Sequence, residues 1–256
     1  MGLLDKKYCS VCGDKIGLFG NRKLEDGNLC KECASKLSYW FDDRRNSTVD
    51  EIRAQLDYRS ANLEKVKNFN VTRSFGRNTK LLLDEDKGLF TVARTGKLLD
   101  ENPDILEYAQ VTGCDLTIDE DRDEEMRELE DGKEVSYNPP RYTWRYNFTM
   151  TIQVNHPYFD DMHFDLNSGS LELQPDYRNA FAARSFDPRK QPQYLEYVKM
   201  GEEIKEAFTA IRTEQREAVA AANAPKVPVV CTACGATSLP DANGCCEYCG
   251  TPLPKA

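Results

Sequence analysis

Eight of the ten cysteines fall into four C-x2-C pairs: Cys9/Cys12, Cys30/Cys33, Cys231/Cys234 and Cys246/Cys249. Two pairs lie near each end of the chain, and none of the eight lies between residues 34 and 230. A thioredoxin-like motif is one such pair beside a βαβ pattern. A disulfide framework needs an export signal, and the opening MGLLDKKYCS has no apolar stretch of that kind. Pairs of pairs read instead as two four-thiolate sites, one at each end, with two Zn2+ per chain. Four thiolates close the coordination sphere, so both predicted sites are structural rather than catalytic. Metal binding then supplies folding free energy that such short segments cannot draw from apolar cores.

The elements that position these residues are short. Gly13, Gly235 and Gly250 each follow a pair and can take a positive φ, which turns backbone N–H groups toward the thiolates. Residues 16–19 and 23–24 predict a hairpin that turns at Gly20 and Asn21, with a second turn over 25–28. Ala34, Leu37 and Trp40 or Phe41 recur at helical spacing, so Cys30 and Cys33 are expected on a helix first turn that favours thiolate at Cys33. Knuckle, hairpin and helix make a treble-clef-like finger over residues 1–46. Cys231, Cys234, Cys246 and Cys249 predict a zinc ribbon over 231–256. Cys245 stays outside that set, because it would need three residues between ligands where the knuckle has two. NAPKVPVV, residues 223–230, reads as a linker.

The string CGDKIGLFGNRKLEDGNLCKECASKL resembles a bacterial N-terminal four-cysteine zinc-finger domain of unknown function. CTACGATSL and CCEYCGTPL resemble a common bacterial C-terminal zinc ribbon. The first resemblance implies metal ligation by Cys9, Cys12, Cys30 and Cys33, and no particular activity.

Between the cysteine clusters the chain predicts one α+β domain over 47–222. Thr48 and Glu51 form a capping-box pattern ahead of a helix over 49–68, with Val49, Ile52, Leu56, Leu63 and Val66 as its apolar stripe and Arg59 interrupting it. The stripe predicts docking on the central domain or a homodimer seam. Strands are expected over 71–75, 80–84, 89–94 and 105–118, the last broken near Gly113. The clearest covers 142–154, where Tyr142, Trp144, Tyr146, Phe148, Met150, Ile152 and Val154 share one face. Met162, Phe164 and Leu166 continue as its partner, and a long helix follows from Pro192 to about Ala222. The whole predicts an antiparallel barrel or sandwich with flanking helices, similar at fold level to a pleckstrin-homology-like split barrel, which implies no ligand.

Charge narrows the partners. The chain carries 34 basic and 43 acidic residues, a formal charge of −9. Residues 115–134 hold 11 acidic and three basic residues, so nearly all the excess sits there. Residues 119–134 are expected as an exposed acidic loop. The balance disfavours nucleic acid, which needs a basic face. Asp119, Asp121, Asp123 and Glu130 fit four positions of a calcium loop, but Glu124 stands where that loop needs glycine. His163 with Asp161 and Asp165 reads as an exposed polar face. No phosphate loop or nucleophile elbow is present. No stretch of about 20 apolar residues is present either, so a cytoplasmic location is expected. These readings together predict a non-enzymatic zinc-binding adaptor that contacts other proteins. A finger-borne nucleic-acid regulator is the alternative, and an enzyme with a site in the central domain is the third reading.

Overall fold

The paired cysteines turn the chain tightly at its start. β1 (Lys7–Tyr8) and β2 (Lys15–Ile16) form an antiparallel pair around Cys9 and Cys12. β3 (Arg22–Lys23) and β4 (Asn28–Leu29) form a second pair around the 25–27 turn. The hairpin expected over 16–24 is therefore absent: residues 17–21 link two hairpins instead of forming one. α1 (Lys31–Ala34) is a single turn, so the helix expected to run on to Phe41 stops early. Leu37 is buried in the finger core, whereas Trp40 packs against the central core. This computed structural model describes residues 6–223, 228–239, 241 and 244–253, without the side chains of 211, 212 and 214–223.

α2 (Val49–Asn68) begins at Thr48 with both halves of the expected capping box. Its buried face is Ile52, Gln55, Arg59, Asn62 and Val66, spaced 3-4-3-4. That face packs within the chain. Ile52 completes the finger core with Leu24, Leu29 and Leu37. Arg59 and Asn62 bond to the segment 102–105, which follows α3 (Leu98–Glu101).

Two open sheets form the centre. The first has the order β5 (Arg73–Phe75), β6 (Lys80–Asp84), β7 (Leu89–Ala93), β8 (Leu106–Glu107), all antiparallel. In the second, β9 (Val111–Glu128) pairs along one edge of β10 (Glu134–Val154). The other edge of β10 takes β11 (Asp161–Asp165) and β12 (Leu171–Leu173) at successive positions. The expected barrel does not close, because no described strand of one sheet pairs with the other. The break expected near Gly113 is a register shift at Thr112, between Gly113 and Val111, and a 3-10 turn, Tyr108–Gln110, interrupts the run once more.

The parity expected in 142–154 holds from Tyr146 onward, whereas residues 141–145, Tyr142 and Trp144 among them, are half-buried on both faces. Tyr146, Phe148, Met150, Ile152 and Val154 are buried, in one cluster with Leu81, Leu83 and Phe90 of the first sheet. After α4 (Ala180–Ser185), α5 (Pro192–Asn223) adds Ile204, Ala207 and Phe208 to that cluster. Gly201 lets α5 approach β9 closely: a Cβ there would lie 2.6 Å from the Leu116 side chain. α5 spans the expected run from Pro192. The compact units are Met1–Arg212 and Thr213–Ala256. No described helix is long and apolar enough to cross a membrane.

The acidic segment expected as a loop over 119–134 is a strand as far as Glu128, and only 129–133 turn. Like charges along one strand are tolerated because the facing strand supplies arginines. Arg145 pairs with Asp123 and with Glu172, and Arg189 reaches Glu120 from beyond the sheet. Residues 137–140, with Pro139 and Pro140, bulge out of the register between Ser136 and Arg141, where missing N–H groups cost no ladder bond. Replacing 119–134 with a short turn should therefore lower the thermal midpoint by several degrees, since it unpairs 143–147. Replacing only 126–140 with a two-residue Asn-Gly turn should leave the midpoint within about 2 °C. Thermal unfolding of the two deletions checks the contrast.

In the second unit, β13 (Val229–Val230) pairs with β14 (Thr237–Ser238), and Cys245 bridges to Pro252. Of the expected 223–230 linker, 224–227 lie outside the described residues, as do 240, 242, 243 and 254–256 of the ribbon and the first five residues.

Candidate metal centres

Three of the four C-x2-C pairs share one local geometry. Cys9, Cys231 and Cys246 each donate their N–H to the carbonyl five residues on, at 2.8 Å. Gly13, Gly235 and Gly250 each return an N–H to the first cysteine's carbonyl, at 2.8–2.9 Å. All three glycines have φ between 70° and 80°, which a side chain would oppose. The fourth pair differs: Cys30 is the N-cap of α1, and its sulfur accepts the Cys33 N–H at 3.3 Å. The Cys30 N–H in turn reaches the Cys9 sulfur at 3.4 Å, tying the helix end to the first knuckle.

These elements bring together the eight cysteines expected from their spacing, as two sets of four: Cys9, Cys12, Cys30, Cys33, and Cys231, Cys234, Cys246, Cys249. Within each set all sulfurs lie within 4.8 Å of one another. Cys12 and Cys30 are 3.8 Å apart, Cys231 and Cys249 3.6 Å, and Cys234 and Cys246 3.7 Å. A tetrahedron with metal–sulfur bonds of about 2.3 Å has sulfur–sulfur edges of about 3.8 Å. A disulfide would hold them at about 2.05 Å. The donor sets thus fit a tetrahedral thiophilic ion, and Cys245 belongs to neither set.

Their electrostatics point the same way. Burial works against ionising Cys9, but the N–H groups of Cys12, Cys30 and Val11 outweigh it and lower the thiol to about 6. At Cys12 the Asp14 N–H favours thiolate, yet partial desolvation, the Asp14 carboxylate and the Cys9 sulfur push it up to about 11. Burial and the sulfurs of Cys30, Cys12 and Cys9 raise Cys33, opposite to the lowering expected from its helix. The second set repeats this. The Ser238 hydroxyl and the Tyr248 N–H hold Cys246 down at about 6, whereas Cys234 is raised to about 12, the Cys249 sulfur overriding the Ala236 N–H. In the first set Cys9 is lowered while Cys12 and Cys33 resist a second negative charge; in the second Cys246 is lowered, Cys249 is lowered too by the Thr251 hydroxyl and N–H, and Cys234 resists. A divalent cation removes that resistance and draws off the remaining protons.

The other expected ligand groups do not converge. His163 lies 3.3 Å from Asp161, both exposed, while Asp165 accepts from Thr149 at 2.7 Å. Asp119, Asp121 and Asp123 are spread along β9, with Asp123 committed to Arg145. Among the described residues only the two cysteine sets gather three or more ligand atoms. Cys114 packs on the central core, where burial raises its thiol to about 12.

Two residues that sequence reasoning placed in a strand are surface features instead. Leu18 and Phe19 stand 90% and 92% exposed between the two finger hairpins. The flanking Gly17 and Gly20 were the available signal for a turn. No curated protein and no solved structure matches the chain. A family described as Domain of unknown function (DUF4428) matches residues 7–55, a span that takes in the N-terminal cysteine set, the exposed Leu18 and Phe19, and the start of α2 that closes the finger core.

Proposed function

We propose that this protein is a non-enzymatic adaptor that holds two structural Zn2+ ions and presents the N-terminal finger to a protein partner. The observation that carries this reading is the pair Leu18 and Phe19, 90% and 92% exposed on a turn clamped by metal-ready hairpins. Adjacent bulky apolar side chains held out in water are costly unless something covers them, and aromatic anchors of this kind dominate protein interfaces. The finer fold readings belong to the same proposal. The finger is treble-clef-like, supported by its knuckle followed by a helix turn. The C-terminal end is a zinc ribbon, supported by its two matching knuckles. The centre is pleckstrin-homology-like, supported by two open sheets sharing a core with α5. A reducing compartment, the cytoplasm, is part of this reading, since oxidised cysteines would not hold the ions.

The test is capture of partners from the native host by the full chain and by Leu18→Ser/Phe19→Ser. The double variant should lose at least ten-fold of the captured partner while elemental analysis still finds two zinc ions per chain. Equal capture, or zinc content below two in the unaltered chain, overturns the proposal.

One observation favours the second reading, a nucleic-acid contact. Arg44 is held below its ordinary value by burial and by the nearby charges of Arg22 and Arg45, so these three arginines form one small basic cluster on the finger. Nucleic-acid affinity falling steeply with salt would select this reading over the adaptor.

A further inference from the structure

A cleft of about 460 Å³ lies where the end of the finger, the start of α2 and the turn between β10 and β11 meet. Its lining includes Asp42, Asp43, Glu51, Asp160 and Asp161, and no lysine or arginine. Among the described residues none of these carboxylates pairs with a lysine or arginine, and only Asp161 meets a histidine, His163. Trp40, Tyr158 and His156 supply aromatic walls, with the His156 ring tilted against Phe159, centroids 4.1 Å apart.

Acidic side chains alone do not make a site, and here a second feature points to a ligand. Gln55 lines the same cleft and is 1% exposed. Its Oε1 accepts the Ser38 N–H at 3.3 Å, but its Nε2 has no partner. A buried amide N–H2 left unbonded is expensive, and a ligand that offers it a carbonyl removes that cost.

The chemistry that satisfies both features is a peptide with a cationic side chain. A metal ion does not fit, because no three of these oxygens or His156 nitrogens converge as ligands. A guanidinium fits better: it is planar, stacks on aromatic faces and forks onto carboxylates. The volume suits one such side chain with its flanking backbone. We propose that this cleft receives an arginine side chain of a partner peptide, with the peptide carbonyl taken by the Gln55 Nε2. The inference rests on the adaptor reading and names the chemistry of the partner.

The test is an NMR titration of the zinc-loaded full chain with acetyl-Gly-Arg-Gly-amide, and with the same peptide carrying citrulline, which keeps the shape and removes the charge. The arginine peptide should give saturable shifts at the Trp40 indole N–H and the Gln55 side-chain amide, weakening at least five-fold in 1 M salt. Citrulline should bind at least five-fold more weakly. Asp42→Asn/Asp160→Asn, at two exposed sites, should cost a similar factor without loss of fold. Gln55→Met should cost about five-fold, the worth of one hydrogen bond. Equal shifts with both peptides, or unchanged affinity in the aspartate variant, overturn the proposal. So does calcium displacing the peptide at the same resonances, which would mark an inorganic cation site. If the peptide fails while Leu18 and Phe19 still govern capture, only the cleft assignment falls.

Discussion

Cys33→Ser should unfold much more than the finger. From sequence alone the finger is a separate module, and its loss would leave the centre folded. The structure ties the two together through α2. Ile52 on its first turns sits in the finger core, while Arg59 and Asn62 further along bond to the 102–105 segment of the centre. Structural zinc contributes about 10–16 kcal/mol of apparent binding free energy, as much as the whole stability of a typical domain, about 5–15 kcal/mol. Losing one ligand from the N-terminal set should lower the midpoint of the whole Met1–Arg212 unit by more than about 10 °C, in one transition. Trp40 and Trp144 both report on that unit. Cys246→Ser is the control, because its set lies in the Thr213–Ala256 unit, and it should leave the tryptophan transition unmoved. Retention of a wild-type Trp144 transition in Cys33→Ser would show that α2 does not carry stability between finger and centre.

The second large effect centres on Asp104, which is 1% exposed. Its carboxylate accepts from Arg59 at 2.7 Å, from the Ser38 hydroxyl at 2.7 Å and from Tyr58 at 3.2 Å. Arg59, 7% exposed, spends its other N–H groups on the Lys36 and Asn102 carbonyls. Asp104→Ala leaves that guanidinium buried without its counter-ion, which costs about 3–5 kcal/mol. Urea unfolding should show a midpoint lowered accordingly. A buried pair is costly to break and much less costly to replace. Arg59→Met combined with Asp104→Leu should therefore be less destabilised than either Arg59→Met or Asp104→Leu alone. Additive losses in the double variant would show that the two residues act separately.

The parts legible in the sequence are those fixed by short-range rules. A cysteine pair followed by glycine states its own turn, and all three such knuckles form as spaced. The alternation from Tyr146 to Val154 states its own buried face. What sequence patterning misread depends on partners far along the chain. The expected stripe on α2 was apolar, yet three of its five buried positions are Gln55, Arg59 and Asn62. Their hydrogen-bond partners lie 17 to 45 residues away, so nothing near them in sequence marks them as interior. The acidic run was misread for a related reason. Aspartate and glutamate disfavour strands, but β propensity yields to the cross-strand neighbour, and Arg145 is that neighbour.

β10 couples two environments along one continuous backbone. From Tyr146 to Val154 every second side chain is interior, whereas 134–140 and residues 126–128, which face 134–136, have no buried residue on either surface. A two-stranded ribbon without an apolar face has little to hold it closed beyond its own ladder. Its distal amides can therefore exchange with solvent deuterium through local fraying, at an opening free energy close to zero, while those near Phe148 wait for the whole domain to open. The hairpin is thus a graded element, rigid at its root and transient at its tip, and a protease would meet the 129–133 turn long before it reached the core.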